Sequence, residues 1–330
     1  MLLNKEPFLT FATTTKETQD YPTVLTDWLN AIDSKGVLLN ALQEHLTTLE
    51  DTVAVAQLLP VWTEENNAEW GSLVALAIYL FQELLLTHKA APTHIEGDYN
   101  ITSSTVITGD LVVDGNLSTN YLEGHAIGLL VLGDLRVKGS YNFSDGSLIV
   151  LGNVLIEGAF NESSDWSLTV VGGDCQANQF LKSSGELFVL GKTIIPLIYV
   201  SYNHGHCLLN DGFNTLYFHE SDHGRSYSFG PSEASFIRID EMRGVETIAI
   251  DQNYIQLKAL LQAEHLGDVS AVDFTSYDKE MFGDLEEFLE SEHELEIDEL
   301  TYELVTVLGQ GQSIFEEQVL AAWKEQPLKK

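Results

Sequence analysis

The chain has 330 residues, enough for one large domain or two medium ones. Acidic residues outnumber basic ones 50 to 16, giving a formal charge of −34, yet charged residues are only 20% of the total. The acidity therefore comes from missing Lys and Arg, and it argues against binding to nucleic-acid phosphates or to an anionic membrane. With 44% hydrophobic residues a core can form, which excludes global disorder.

Residues 17 to 90 carry a helical period. Val24, Leu25, Trp28, Leu29 and Ile32 define a first segment after Tyr21-Pro22. A second follows Gly36, with Leu38, Leu39, Leu42, Leu46 and Leu49. A third ends at Pro60, and a fourth runs from about Glu64 to His88. The apolar run Gly71 to Phe81 is broken by Gln82 and Glu83, well short of the roughly 20 residues a membrane span needs. The first residues show no secretory signal pattern, so the expected location is the cytoplasm.

From residue 93 the period changes to 2, and the text repeats. Five glycines anchor the units: Gly109, Gly133, Gly152, Gly173 and Gly191, spaced 24, 19, 21 and 18 residues apart. Positions −4, −2, +2 and +4 around each anchor are small or apolar, as in Leu129, Val131, Leu135 and Val137 around Gly133. A further glycine follows six residues later in three units, at Gly115, Gly139 and Gly158. Gly97 marks an incomplete first unit. This is the pattern of a β-solenoid: two short strands per unit, joined at a glycine where positive φ or close backbone approach is needed. The competing arrangement is a sandwich of hairpins, but a register that recurs at nearly one period favours the solenoid.

Regularity fades after about residue 197, although Phe213 to His219, Phe236 to Ile239 and Val245 to Ile250 still read as strands. Helical spacing returns after Asn253, with further segments on Leu285, Phe288 and Leu289, on Leu300, Leu304 and Leu308, and from Phe315 to Trp323. The expected fold is thus mixed α and β: a helical cap over 1–92, a β-solenoid over 93–252 and an acidic helical region over 253–330.

Three features could carry function. His204, His206, His219 and His223 cluster with Cys207 and several carboxylates, and H-x-H and H-x₃-H spacings can present two imidazoles to one divalent metal. No established metal signature fits, so solvated loop histidines are the plainer reading and no cofactor is expected. Cys175 falls on an inward position and reads as a small core residue. His206 and Cys207 are neighbours on a strand and point to opposite faces, which disfavours a dyad. No nucleophile elbow or phosphate loop is present, so catalysis is not expected.

The third feature is the acidic segment from Asp284 to Glu303, which holds ten carboxylates; no Lys or Arg occurs between Lys279 and Lys324. It reads as a solvated helix face or as a docking surface for a basic protein partner, with Glu286, Glu287, Glu290, Glu294 and Asp298 as contact residues.

The units VITGDLVVDG, LVLGDLRVKG and LIVLGNVLIEG resemble the coils of bacterial polymer-forming solenoid proteins of the bactofilin type, over about residues 93–197. That resemblance implies a right-handed β-solenoid and a prokaryotic origin. Coil lengths vary here and helical blocks flank the repeat, a departure that works against end-to-end filaments. The acidic, capped layout also resembles, by architecture and charge, the immunity-type proteins that neutralise basic bacterial toxins. The expected function is a non-enzymatic binding protein, its most concrete version an immunity-like inhibitor, existing as a monomer or small homo-oligomer. The alternatives are a metal-binding protein or metal-dependent enzyme using the histidine cluster, and a polymerising scaffold.

Overall fold

The computed structural model describes residues 90–243, apart from short breaks at 104, 120–126, 144–145, 163–166, 183–184, 202–205, 210, 222–224, 229 and 240–241, together with Gln262 and residues 313–325. The 90–243 segment is a parallel β-solenoid. Every strand pairing in it is parallel, and pairing always joins one coil to the next.

Each coil contributes strand to three ladders. The first ladder stacks β1 (Thr93–Ile95), β4 (Leu111–Val113), β7 (Leu135–Val137), and the N-terminal halves of β10 (Val154–Glu162) and β12 (Cys175–Lys182). It continues through β14 (Thr193–Ile194), β17 (Phe213–Ser221) and β19 (Glu233–Ile239). The second ladder stacks β2 (Tyr99–Ile101), β5 (Leu117–Thr119), β8 (Tyr141–Phe143), the C-terminal halves of β10 and β12, β15 (Leu197–Ser201), and the later parts of β17 and β19. The third runs β3 (Thr105–Ile107), β6 (Ile127–Val131), β9 (Gly146–Val150), β11 (Ser167–Val171), β13 (Glu186–Val189), β16 (His206–Leu209), β18 (Arg225–Ser228) and β20 (Met242–Arg243).

The unit is therefore three strands, not the two that the anchor pattern suggests. The missed strand lies eight to ten residues after each of the first three anchors. Its inward pairs are Leu117 and Thr119, then Tyr141 and Phe143, then Phe160 and Glu162. Polar residues in these pairs hide the alternation. The strands also continue past residue 197: β15 to β20 extend the same ladders as far as Arg243. Val245 to Ile250 lie outside the described residues.

The core is the inside of the coils. Leu111, Val113, Leu135, Val137, Val154, Ile156 and their counterparts on the other ladders are buried at a few percent exposure or less. Removing each such side chain from water contributes about 1.5–3 kcal/mol, and no coil buries its face without a neighbour. On the second ladder the rings step through successive coils. Tyr141 meets Phe160 at 5.4 Å, and Phe160 meets Phe180 at 5.1 Å, both edge to face.

The outward positions differ between ladders. On the first, His94, Arg136 and Leu155 are exposed. On the third, Leu130, Ile149, Val170 and Phe188 face outward and are nonetheless buried. This explains the near-continuous apolar text of β6, β9 and β13: a strand covered on both faces loses its alternation.

Of the helical cap expected over 1–92, residues 1–89 lie outside the described residues, and 90–92 are not helical. In the C-terminal region, residues 317–324 form α1 (Glu317–Lys324), which overlaps the segment Phe315 to Trp323 expected to be helical. It sits against the side of the solenoid, where the Trp323 indole N–H donates to Asn214 Oδ1 at 3.1 Å. Among the described residues no helix is long and apolar enough to cross a membrane.

Candidate functional site

The corners explain the glycine anchors. None of the five anchors has positive φ; among the described residues only Gly97, Gly146, Gly185 and Gly212 do. The N–H of each of the four later anchors instead donates to the anchor carbonyl one coil earlier, as Gly152 does to Gly133 at 3.0 Å. The residue after each anchor completes the corner. Asp110 Oδ1 accepts from the Asp134 N–H, Asp134 from Asn153, Asn153 from Asp174 and Asp174 from Lys192, all at 2.8–2.9 Å. That carboxylate or amide passes over the next glycine, and a Cβ on Gly152 would fall inside contact with Asp134 Oδ1. Glycine and its polar successor are thus one unit.

The second corner repeats the device: Asp98 Oδ1 accepts from the Asn116 N–H at 2.7 Å, and Asn116 Oδ1 from Ser140 at 2.9 Å. The corner carboxylates are satisfied by backbone amides rather than by cations. One surface ion cluster stands apart, where Asp114 accepts from Lys138 at 2.7 Å and from His94 at 2.9 Å. The Lys138 hydrogen bond, with help from His94, holds the Asp114 carboxyl below the usual range.

The most unusual polar group lies inside the coils. Glu162 and Lys182 occupy the same inward column one coil apart, at 1% exposure each. Lys182 Nζ donates to Glu162 Oε2 at 3.1 Å, and the Thr169 hydroxyl donates to Glu162 Oε1. Glu220 lies further along this column, beyond Val200. Cys207 faces the same interior from the third ladder, paired in register with Ser226. Glu162 and Lys182 are absent from the sequence-based candidates because the strand that carries them does not show in the hydrophobic pattern. The usable signal is their 20-residue separation, which matches that of Phe160 and Phe180 and falls within the coil period. With both side chains sealed from solvent, this cluster organises the core and offers no surface to a substrate.

Both cysteines are buried and free. Burial raises the Cys175 thiol far above its ordinary range and pushes Cys207 up to about 12, the neighbouring Lys182 opposing the shift at Cys207. A thiol that stays protonated is a packing group, not a nucleophile.

The histidines are only partly placed. His204 and His223 lie outside the described residues. His206 starts β16 on the third ladder, whereas His219 sits on the second-ladder part of β17, in register with Tyr199 and Arg238. His219 is buried, its ring stacked on Tyr199 at 4.6 Å, with the Tyr217 hydroxyl 3.0 Å from Nδ1. Among the described residues no group of three or more His, Cys, Asp or Glu is placed to hold a metal ion. Glu286, Glu287, Glu290, Glu294 and Asp298 lie outside the described residues. No family model, curated protein or solved structure matches the chain.

Proposed function

We propose that the chain is a non-enzymatic binding protein that holds a basic protein partner on an acidic surface, in the manner of an immunity-like inhibitor. One observation carries the reading: the surplus of carboxylates is not neutralised from within. The net charge is −34, and the described lysines near acids are already engaged, Lys138 by Asp114 and Lys182 by Glu162. Lys324 donates to the Asn178 amide oxygen. Self-repulsion of the remaining carboxylates costs stability, and a basic partner relieves it while gaining a steered on-rate. The contacts are Glu286, Glu287, Glu290, Glu294 and Asp298, and the mechanism is occlusion of the partner's Lys and Arg. The test is capture from native-host extract on the tagged full chain, with a variant carrying Gln or Asn at these five positions alongside. A basic protein that the native chain retains at low salt and the variant does not supports the reading. Retention by both, or capture of no basic protein, overturns it.

A second reading, a polymerising scaffold, is favoured by the first coil. Among the described residues β1, β2 and β3 pair on one side only, and Ile95, Tyr99 and Ile107 are only partly buried against the core. Within the described residues this leaves an unpaired edge over a half-covered core, and such an edge is a template for a second copy. Light scattering after size exclusion separates the readings: a monodisperse small species removes the scaffold, and a concentration-dependent series of masses supports it.

A further inference from the structure

A groove of about 490 Å³ runs along the outside of the first ladder, where α1 lies against the coils. Its size is within the range of small-molecule sites. Its floor is a shelf of Leu155, Ile194 and Pro196, from β10, from β14 and from the turn after β14. Leu155 is the one large apolar side chain exposed among the described residues, at 38%. The Trp323 indole closes one side.

The polar lining is amide-rich. Gln176 and Asn178 come from β12 and Asn214 from β17, two coils further on, and all three line the groove. Asn178 is fixed at both ends, its Nδ2 donating to the Glu157 carbonyl and its Oδ1 accepting from Lys324 at 3.3 Å. Asn214 Oδ1 is taken by Trp323, which leaves its Nδ2 for a ligand. The Gln176 amide makes no side-chain hydrogen bond among the described residues, so it can both donate and accept. Glu157 and Lys324 add one charge of each sign, so the lining is close to neutral.

We propose that this groove binds a neutral saccharide. A sugar ring has an apolar C–H face that suits the aliphatic shelf and the indole. Its adjacent hydroxyls donate and accept together, which is what a primary amide and a carboxylate match. A nucleotide or other phosphate ligand meets a chain of charge −34 and is repelled. A lipid tail meets amides that it cannot satisfy. The inference is independent of the basic-partner reading, because no residue is shared between the two sites.

The experiment titrates cellobiose, maltose and N,N′-diacetylchitobiose onto the full chain, read by saturation-transfer difference NMR. The expected result is saturable binding of at least one disaccharide with a millimolar or tighter dissociation constant. The double variant Glu157→Ala, Gln176→Ala removes only outward side chains and is expected to unfold at the native temperature while binding at least tenfold more weakly. A third sample, Leu155→Asp, is expected to lose binding through the shelf. The proposal is overturned if none of the three sugars saturates, or if saturation is the same in native chain and both variants.

Discussion

Lys182 Nζ lies 3.1 Å from Glu162 Oε2 inside the solenoid, one coil above it on the same inward column. Two ions out of water cost several kcal/mol each, and only close pairing with further hydrogen bonds returns that. Thr169 supplies one such bond. Lys182→Met is expected to cost about 3–5 kcal/mol by leaving Glu162 uncompensated. The double variant Glu162→Leu, Lys182→Met is expected to recover most of that loss. Urea midpoints of the two variants check this; equal destabilisation of single and double variants would show that the pair does not act as a unit.

The corners give a second expectation. Gly152→Ala drives a Cβ into Asp134 Oδ1 and the Gly133 carbonyl, whereas a Cβ on Gly97 meets nothing within 4 Å. Gly97 has φ +81°, a region that Asn tolerates. Gly97→Asn is therefore expected to shift stability by less than about 1 kcal/mol, and Gly152→Ala by clearly more. Thermal unfolding of both variants is the check, and the reverse order would contradict the close-approach account of the anchors.

Much of this was legible in the sequence, and the gaps have physical causes. Gly109, Gly133, Gly152, Gly173 and Gly191 with their apolar flanks revealed the coil, because corners and strand cores recur in register. The third strand was not legible: Glu162, Lys182 and Thr119 stand at inward positions that a hydrophobicity pattern scores as outward. The third-ladder strands are near-continuously apolar in the sequence because Leu130, Ile149 and Phe188 are buried on the outside. The polar successors of the first four anchors stand in the sequence as Gly-Asp and Gly-Asn pairs, but their role needs the neighbouring coil. Of the histidine cluster, His219 could not be read as buried, since burial on the outward side depends on what packs there.

Cysteine accessibility follows from burial. Cys175 and Cys207 sit at 2% and 0% exposure with raised thiol pKa. The folded chain is expected to resist a thiol reagent at pH 8, and both groups are expected to react in denaturant. Rapid labelling of the folded chain would contradict their placement in the core.

The same shifts predict alkaline lability. Unfolded thiols ionise near their ordinary pKa of 9.0, while folded Cys207 holds its proton to about 12. Burial also raises the Tyr141 phenol well above 10.0, with Glu162 adding to the shift. In each case the unfolded state loses protons first, so stability is full below about pH 8.5 and falls as pH rises. The slope approaches about 1.4 kcal/mol per pH unit for each ionising group. Urea midpoints from pH 7 to 11 test it. Substituting Cys207→Ala and Cys175→Ala is expected to flatten the decline.

The most direct test of the account is the salt dependence of binding between the captured basic protein and the full chain, measured by titration calorimetry for the native chain and for the five-position neutralised variant. A charge-driven dock predicts affinity that falls steeply with salt for the native chain, and a variant that binds more weakly with a flatter slope. Equal affinity and equal slope in the two proteins would contradict the acidic docking surface.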